Sequence, residues 1–170
     1  MYYETFRQIK KQLGQVGKWL DAAEATAKEK SFDPNLFLGF RLSPDQFAFA
    51  RQIQICCDTV KLGASRLTGK AAPAHPDTEQ TLGELSARVQ SVVEYLDGFS
   101  EKDFEGAATA TVTQPRWEGK TMTGADYFLE HVVPNFFFHL TTTYAILRHN
   151  GVAIGKRDYL GALTQHAPAA

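Results

Sequence analysis

Sulfur is scarce in this sequence: 170 residues carry two cysteines and two methionines. The cysteines, Cys56 and Cys57, are adjacent, and neighbours in sequence rarely reach the geometry of an unstrained disulfide. No covalent cross-link is therefore expected, and the pair reads as two small buried side chains in a reducing compartment. An excess of one charge sign is also missing, since 18 Lys and Arg stand against 19 Asp and Glu for a net charge of -1. Without a basic stripe, nucleic acid and anionic membrane are excluded as expected partners. No apolar run approaches the roughly 20 residues that span a bilayer. The opening "MYYETFRQIKKQLG" lacks the apolar core and cleavage site of a signal peptide, so the cytoplasm is the expected location. Several catalytic signatures are absent too: the P-loop, G-x-S-x-G, H-E-x-x-H and C-x-x-C patterns, and the Glu-x-x-His pairs of di-iron bundles.

What is present is helical periodicity in a chain that is 44% hydrophobic, long enough for one sizeable core and read as a single domain over 1–170. Phe6, Ile9, Leu13, Val16, Leu20 and Ala23 recur at steps of three and four, forming one stripe on a helix of residues 5–29. Ser43, Pro44 and Gln46 have the chemistry of an N-cap, a first helical position and a capping partner, so a second helix is expected from 44 to about 67. Phe49, Ile53, Cys56, Val60 and Ala64 would be its inward stripe. Thr81 and Glu84 form a capping box for a third helix with Leu82, Leu85, Val89, Val92 or Val93, and Leu96 facing inward. From 104 to 122 the period changes to alternating small and β-branched residues, with turn signals at Gln114-Pro115 and Gly119. This predicts a short β-hairpin or extended insertion. Thr123 and Asp126 then cap a last helix of about 124–149, closed by Gly151. The fold class is thus all-α, a four-helix bundle with a short insertion between its third and fourth helices.

The fourth helix carries "EHVVPNFFFHLTTTYAILRHNGV" over 130–152 and runs into "AIGKRDYL". With the four helices and the insertion before the last, this resembles the DinB/YfiT-like superfamily of bacterial four-helix bundles, whose closing pattern is a helix with H-x-x-x-H, an "LLRQLG"-like end and a tail with an acidic and an aromatic residue. Within it, the chain is similar to a branch of unknown function. The resemblance implies, for members that hold a metal such as zinc or nickel, three histidines: one from the second helix and two from H-x-x-x-H. Some members are implied to be thiol-dependent transferases or hydrolases. Related bundles often pair, and with 12 Phe in this chain a homodimer is expected.

Carried over residue by residue, the ligand set is incomplete. His139 falls on the second histidine of the motif, Asn135 falls on the first, and the second helix holds no histidine, only Gln52, Gln54 and Asp58 as substitutes. His131 does not rescue the site in a straight helix. Residues four apart lie about 6 Å apart along the axis, but residues eight apart lie about 12 Å apart, too far for imidazoles to share an ion at bonds near 2.0 Å. Pro134 could distort the helix, since it removes a donor and frees the carbonyl of Glu130.

Two readings remain open. One is a metal-free bundle, with no cofactor expected, that binds a small molecule or acts as a dimeric interaction module. The other is a metal-dependent thiol transferase or hydrolase working around His139, its one metal-ligand candidate. In either case the expected ligand-binding residues are Gln54, Asp58, Asn135 and His139, with Trp117 on the insertion as a lid or simply a hydrophobic cover. His75 and His166 fall in Pro- and Ala-rich segments and are expected to be solvated.

Overall fold

A computed structural model describes residues 1–167. Helix α1 (Tyr2–Glu29) is the longest, and its buried residues include the whole expected stripe from Phe6 to Ala23 together with Trp19. α2 (Phe49–Thr68) packs chiefly on the fourth helical rod and then on α3 (Leu82–Asp97), while α1 packs chiefly on α3. The fourth rod is continuous but not uniform. It consists of α4 (Gly124–Asp126), a π-helical turn (Tyr127–Val132) and α5 (Val133–His149). A five-residue helix, α6 (Lys156–Leu160), closes the chain against α1. The fold is an all-α bundle with a small insertion, as the sequence predicts.

The capping chemistry is where it was expected. Thr81 Oγ1 accepts from Glu84 N–H at 3.1 Å, and Glu84 accepts in return from Thr81 N–H at 3.2 Å. Thr123 Oγ1 accepts from Asp126 N–H at 3.1 Å. Gly151, with φ +84°, ends α5 in a Schellman motif: Val152 N–H reaches Leu147 C=O at 3.1 Å, and Gly151 N–H reaches Arg148 C=O at 3.2 Å.

Helix two corrects the sequence reading. It begins at Phe49 and not at Pro44, because Ser43 to Gln46 close a turn of their own, Gln46 N–H donating to Ser43 C=O at 3.1 Å. Phe49 N–H, which has no partner within its helix, donates to Phe40 C=O at 2.8 Å. Tertiary contact therefore fixes the start, and the side-chain cap is not used. The inward stripe from Phe49 to Ala64 is buried as expected, Cys56 and Cys57 with it.

The core joins all four rods through Trp19 of α1, Phe49 of α2, Leu85 of α3 and Phe128 and Phe136 of the fourth rod, with Phe37 between them, each fully buried. A side chain of this size adds about 1.5–3 kcal/mol when buried. Of the three consecutive phenylalanines, Phe136 is core, Phe137 is half-buried and Phe138 is exposed. The insertion is a hairpin of two-residue strands, β1 (Thr111–Val112) and β2 (Met122–Thr123), antiparallel with Thr111 opposite Thr123. Between them lies a 3-10 turn, Pro115–Trp117.

His75 departs from expectation. Its Nδ1 lies 2.9 Å from Lys61 Nζ and its Nε2 lies 3.0 Å from Ser91 Oγ. Lysine only donates, so Nδ1 accepts and Nε2 carries the proton. The histidine belongs to a charged cluster centred on Arg88, which bonds Asp58 at 2.7 Å, Asp77 at 3.0 Å and Glu79 at 2.9 Å. This cluster fastens the 69–81 connection to α2 and α3. Among the described residues no helix is long and apolar enough to cross a membrane.

Candidate functional site

A groove of about 400 Å³ runs between α2, the fourth rod and the insertion. Arg51, Ile55, Asp58, Thr59, Leu62 and Arg66 face it from α2, at steps of three and four that define a second stripe beside the inward one. Tyr127, His131, Asn135 and His139 face it from the fourth rod. These four are spaced by four residues throughout. In an α-helix each such step overshoots the turn by about 40°, so the set would wind about 120° around the rod. The wider π turn, bonded i to i+5 as in Val133 N–H to Phe128 C=O, lags where the α-helix leads and keeps Tyr127 and His131 on the groove side. Pro134 follows directly within the continuous rod and supplies no ladder donor where the π turn already departs from i to i+4 bonding.

At the α5 end of the groove, His139 Nδ1 and Gln52 Oε1 are 2.6 Å apart. Gln52 Nε2 donates to Phe47 C=O at 2.9 Å, which fixes its amide so that the oxygen faces the imidazole. His139 is therefore the Nδ1–H tautomer, and its Nε2 is an acceptor. Burial, and then the nearby Arg51, pull its pKa down to about 4, so the ring is neutral at physiological pH. One turn earlier, Asn135 Nδ2 donates to Thr59 Oγ1 at 2.7 Å. The three positions relevant to a histidine triad are thus held by Gln52, Asn135 and His139. Two of the three donors are amides already engaged with neighbours, and no three His, Cys, Asp or Glu converge among the described residues. A single imidazole with two amides is a poor donor set for zinc or nickel. The residues do not fit the three-histidine metal.

The insertion end is cationic. Arg66 Nη1 donates to Tyr127 Oη at 2.8 Å. Arg116, carried by the insertion, lies 3.2 Å from His131 Nε2, and since guanidinium only donates, His131 accepts. Burial first, then Arg116 and Arg66, lower the His131 pKa. Asp58 is the one carboxylate lining the groove, and its charge is matched from behind by Arg88 at 2.7 Å and Lys61 at 2.9 Å.

Of the expected site residues, Asp58, Asn135 and His139 come together in the groove. Gln54 does not, since its amide donates to Glu79 at 2.9 Å and accepts from Arg51 at 3.1 Å on the side of the charged cluster. Trp117 packs edge-on against Tyr127 and His131, with centroids 6.0 and 6.4 Å away, and braces the wall from outside. The insertion reaches the groove through Gln114 and Arg116 instead. Arg66, Arg116, Gln114, Tyr127 and Gln52 carry much of the site's polarity. The four-residue recurrence from Tyr127 to His139 and the second stripe of α2 were the signals that could have found most of them.

Comparison with known proteins agrees with this architecture. The family model described as "Domain of unknown function (DUF1993)" matches residues 1–160. The crystal structure of a DinB family member protein from Shewanella denitrificans is 51% identical, with a TM-score of 0.94 over 99% of this chain and 96% of that one. No curated protein matches. The chain therefore belongs to the DUF1993 family, a DinB-like family of unknown function.

Proposed function

We propose that this protein is a metal-free member of its superfamily that binds a small molecule in the groove between α2 and the fourth rod. The observation that carries this reading is the internal pairing of the would-be ligand positions. His139 is matched to Gln52 at 2.6 Å and Asn135 to Thr59 at 2.7 Å, so the groove keeps its shape without an ion. Its walls set apolar Phe47, Ile55 and Leu62 among a majority of polar and charged side chains, a lining that suits a polar ligand with a small apolar part. The metal-dependent transferase or hydrolase reading would need two further imidazole, thiolate or carboxylate donors beside His139, and Asp58, the carboxylate in the lining, is bonded to Arg88 and Lys61.

The test has two parts. Elemental analysis of protein purified without a histidine tag is expected to find zinc, nickel and iron at background, and near-stoichiometric metal would reverse the reading. A thermal-shift screen of small organic molecules is expected to find stabilisers of the wild type that fail on Leu62→Trp, which fills the groove. Stabilisers acting equally on both proteins would place the site elsewhere. We also propose that two copies pair, since Phe138 and Leu129 leave 58% of their surface exposed on the fourth rod. A monomer mass by light scattering at micromolar concentrations would end that proposal.

A further inference from the structure

Resting on the groove reading above, we infer that the ligand carries an anionic head, a carboxylate or phosphate, held at the insertion end of the groove by Arg66, Arg116 and Gln114, with its apolar body along Ile55 and Leu62. The argument begins with charge. Three guanidinium groups line the groove, and they are not equivalent. Arg51 is paired with Asp77 and bonded to Gln54. Among the described residues, neither Arg66 nor Arg116 has a carboxylate partner; their hydrogen bonds go to the neutral Tyr127 hydroxyl and the neutral His131 ring. Asp58, the only acidic side chain in the lining, is already matched by Arg88 and Lys61. The insertion end of the groove thus holds two cations that the protein leaves without an anion among the described residues. Guanidinium is suited to planar, two-point recognition of carboxylate or phosphate.

A second, independent observation points to the same place. Gln114 lines the groove and is only 8% exposed, yet its Nε2 is buried with no acceptor. A buried donor without a partner costs about 1–3 kcal/mol, and since no hydrogen bond holds this amide among the described residues, it can turn to give that donor to an anion's oxygen. Gln114 and Arg116 belong to the insertion while Arg66 belongs to α2, so an anion between them would also fasten the insertion to the bundle. At the far end, His139 Nε2 is an acceptor, which suits a ligand hydroxyl or N–H and would repel a second carboxylate.

The test is a titration of the full-length protein, followed by amide and side-chain NMR shifts, with four probes of one chain length: hexanoate, hexyl phosphate, 1-hexanol and hexylammonium. One or both anions are expected to bind saturably and to shift the Gln114 side-chain amide, and which of the two binds tighter identifies the head group. Arg116→Gln, at an exposed position, and Arg66→Gln are each expected to weaken that binding about tenfold or more, the effect of losing one charge-assisted bond. If 1-hexanol binds in the groove as tightly as the anions, or if both arginine variants bind the anions like wild type, the anionic assignment is overturned and the groove survives as a small-molecule site. If no probe of any charge binds, both the assignment and the groove reading fall.

Discussion

Gln52 on α2 and His139 on α5 meet at 2.6 Å at the α5 end of the groove, 87 residues apart in sequence. The contact joins two helices through a tautomer fixed by a third group, the Phe47 carbonyl. Removing the imidazole in His139→Ala leaves the Gln52 oxygen buried without a donor. The expected loss is about 1–3 kcal/mol of unfolding free energy, read by urea denaturation. A change below a few tenths would mean that water replaces the contact at no cost.

The same histidine makes stability depend on pH. Its pKa is about 4 in the folded chain against an ordinary 6.5, so the unfolded state binds more protons between those values. The neutral ring's contribution is complete above pH 6.5 and is lost as pH falls toward 4, by about 3 kcal/mol in all. His75, also lowered by burial and by Lys61 and Arg88, acts in the same direction. A urea midpoint measured from pH 7.5 to 4 should fall, and His139→Gln should fall less steeply. Parallel curves for the two proteins would contradict this.

Arg88 is 1% exposed at its side chain and faces Asp58, Asp77 and Glu79. Arg88→Ala leaves three carboxylates around one empty position and should destabilise by about 3–5 kcal/mol. Arg88→Met, which restores volume but not charge, should not recover it. Full recovery by Met in a denaturation experiment would show that packing, and not charge, holds the 69–81 connection.

Gly124 opens the fourth rod with its Cα against the insertion: a Cβ there would lie 1.8 Å from the Ala107 carbonyl oxygen and 3.0 Å from Leu67. The obstacle is backbone and cannot swing aside. Gly124→Ala should cost about 1–3 kcal/mol or more and shift amide resonances on both sides of the hairpin. An unchanged melting temperature would count against the contact.

Burial pushes the Cys57 thiol up to about 12 and the Cys56 thiol well above its ordinary value. Both should resist an aromatic disulfide reagent in native buffer and react at once in denaturant. Rapid native labelling would contradict the packing of α2.

Much of the fold was legible because its signals are local. The stripe from Phe6 to Ala23, the Thr81–Glu84 box, the Thr123 cap and Gly151 each act within a few residues of themselves. The start of α2 was not legible, because it is set by the Phe40 carbonyl accepting from Phe49 N–H, a tertiary contact that overrides the cap suggested by Ser43 and Pro44. The site was legible on the fourth rod, where Asn135 and His139 stand four apart. On α2 it was only partly so, since Asp58 and Gln54 are four residues apart but turn to different neighbours, Gln54 going to Glu79. His75 looked solvated because a Pro- and Ala-rich context says nothing about Lys61 beneath it.

The π turn at Tyr127–Val132 makes the groove depend on a residue count as well as on residue identity. Relaxing it to an α-helix with every residue kept would rotate everything before it by about 100° relative to Asn135 and His139, whereas deleting one residue would remove the surplus that the π turn absorbs and leave the two ends of the rod facing as they do. Under relaxation at constant length Tyr127 would leave the wall, and the Arg66 bond that ends on it would be lost. Relatives one residue shorter here should therefore lack the π turn and carry one wall position fewer, while the rod on either side keeps its facing. The length of the 127–132 segment is thus a marker for sorting the family by site architecture before any ligand is known.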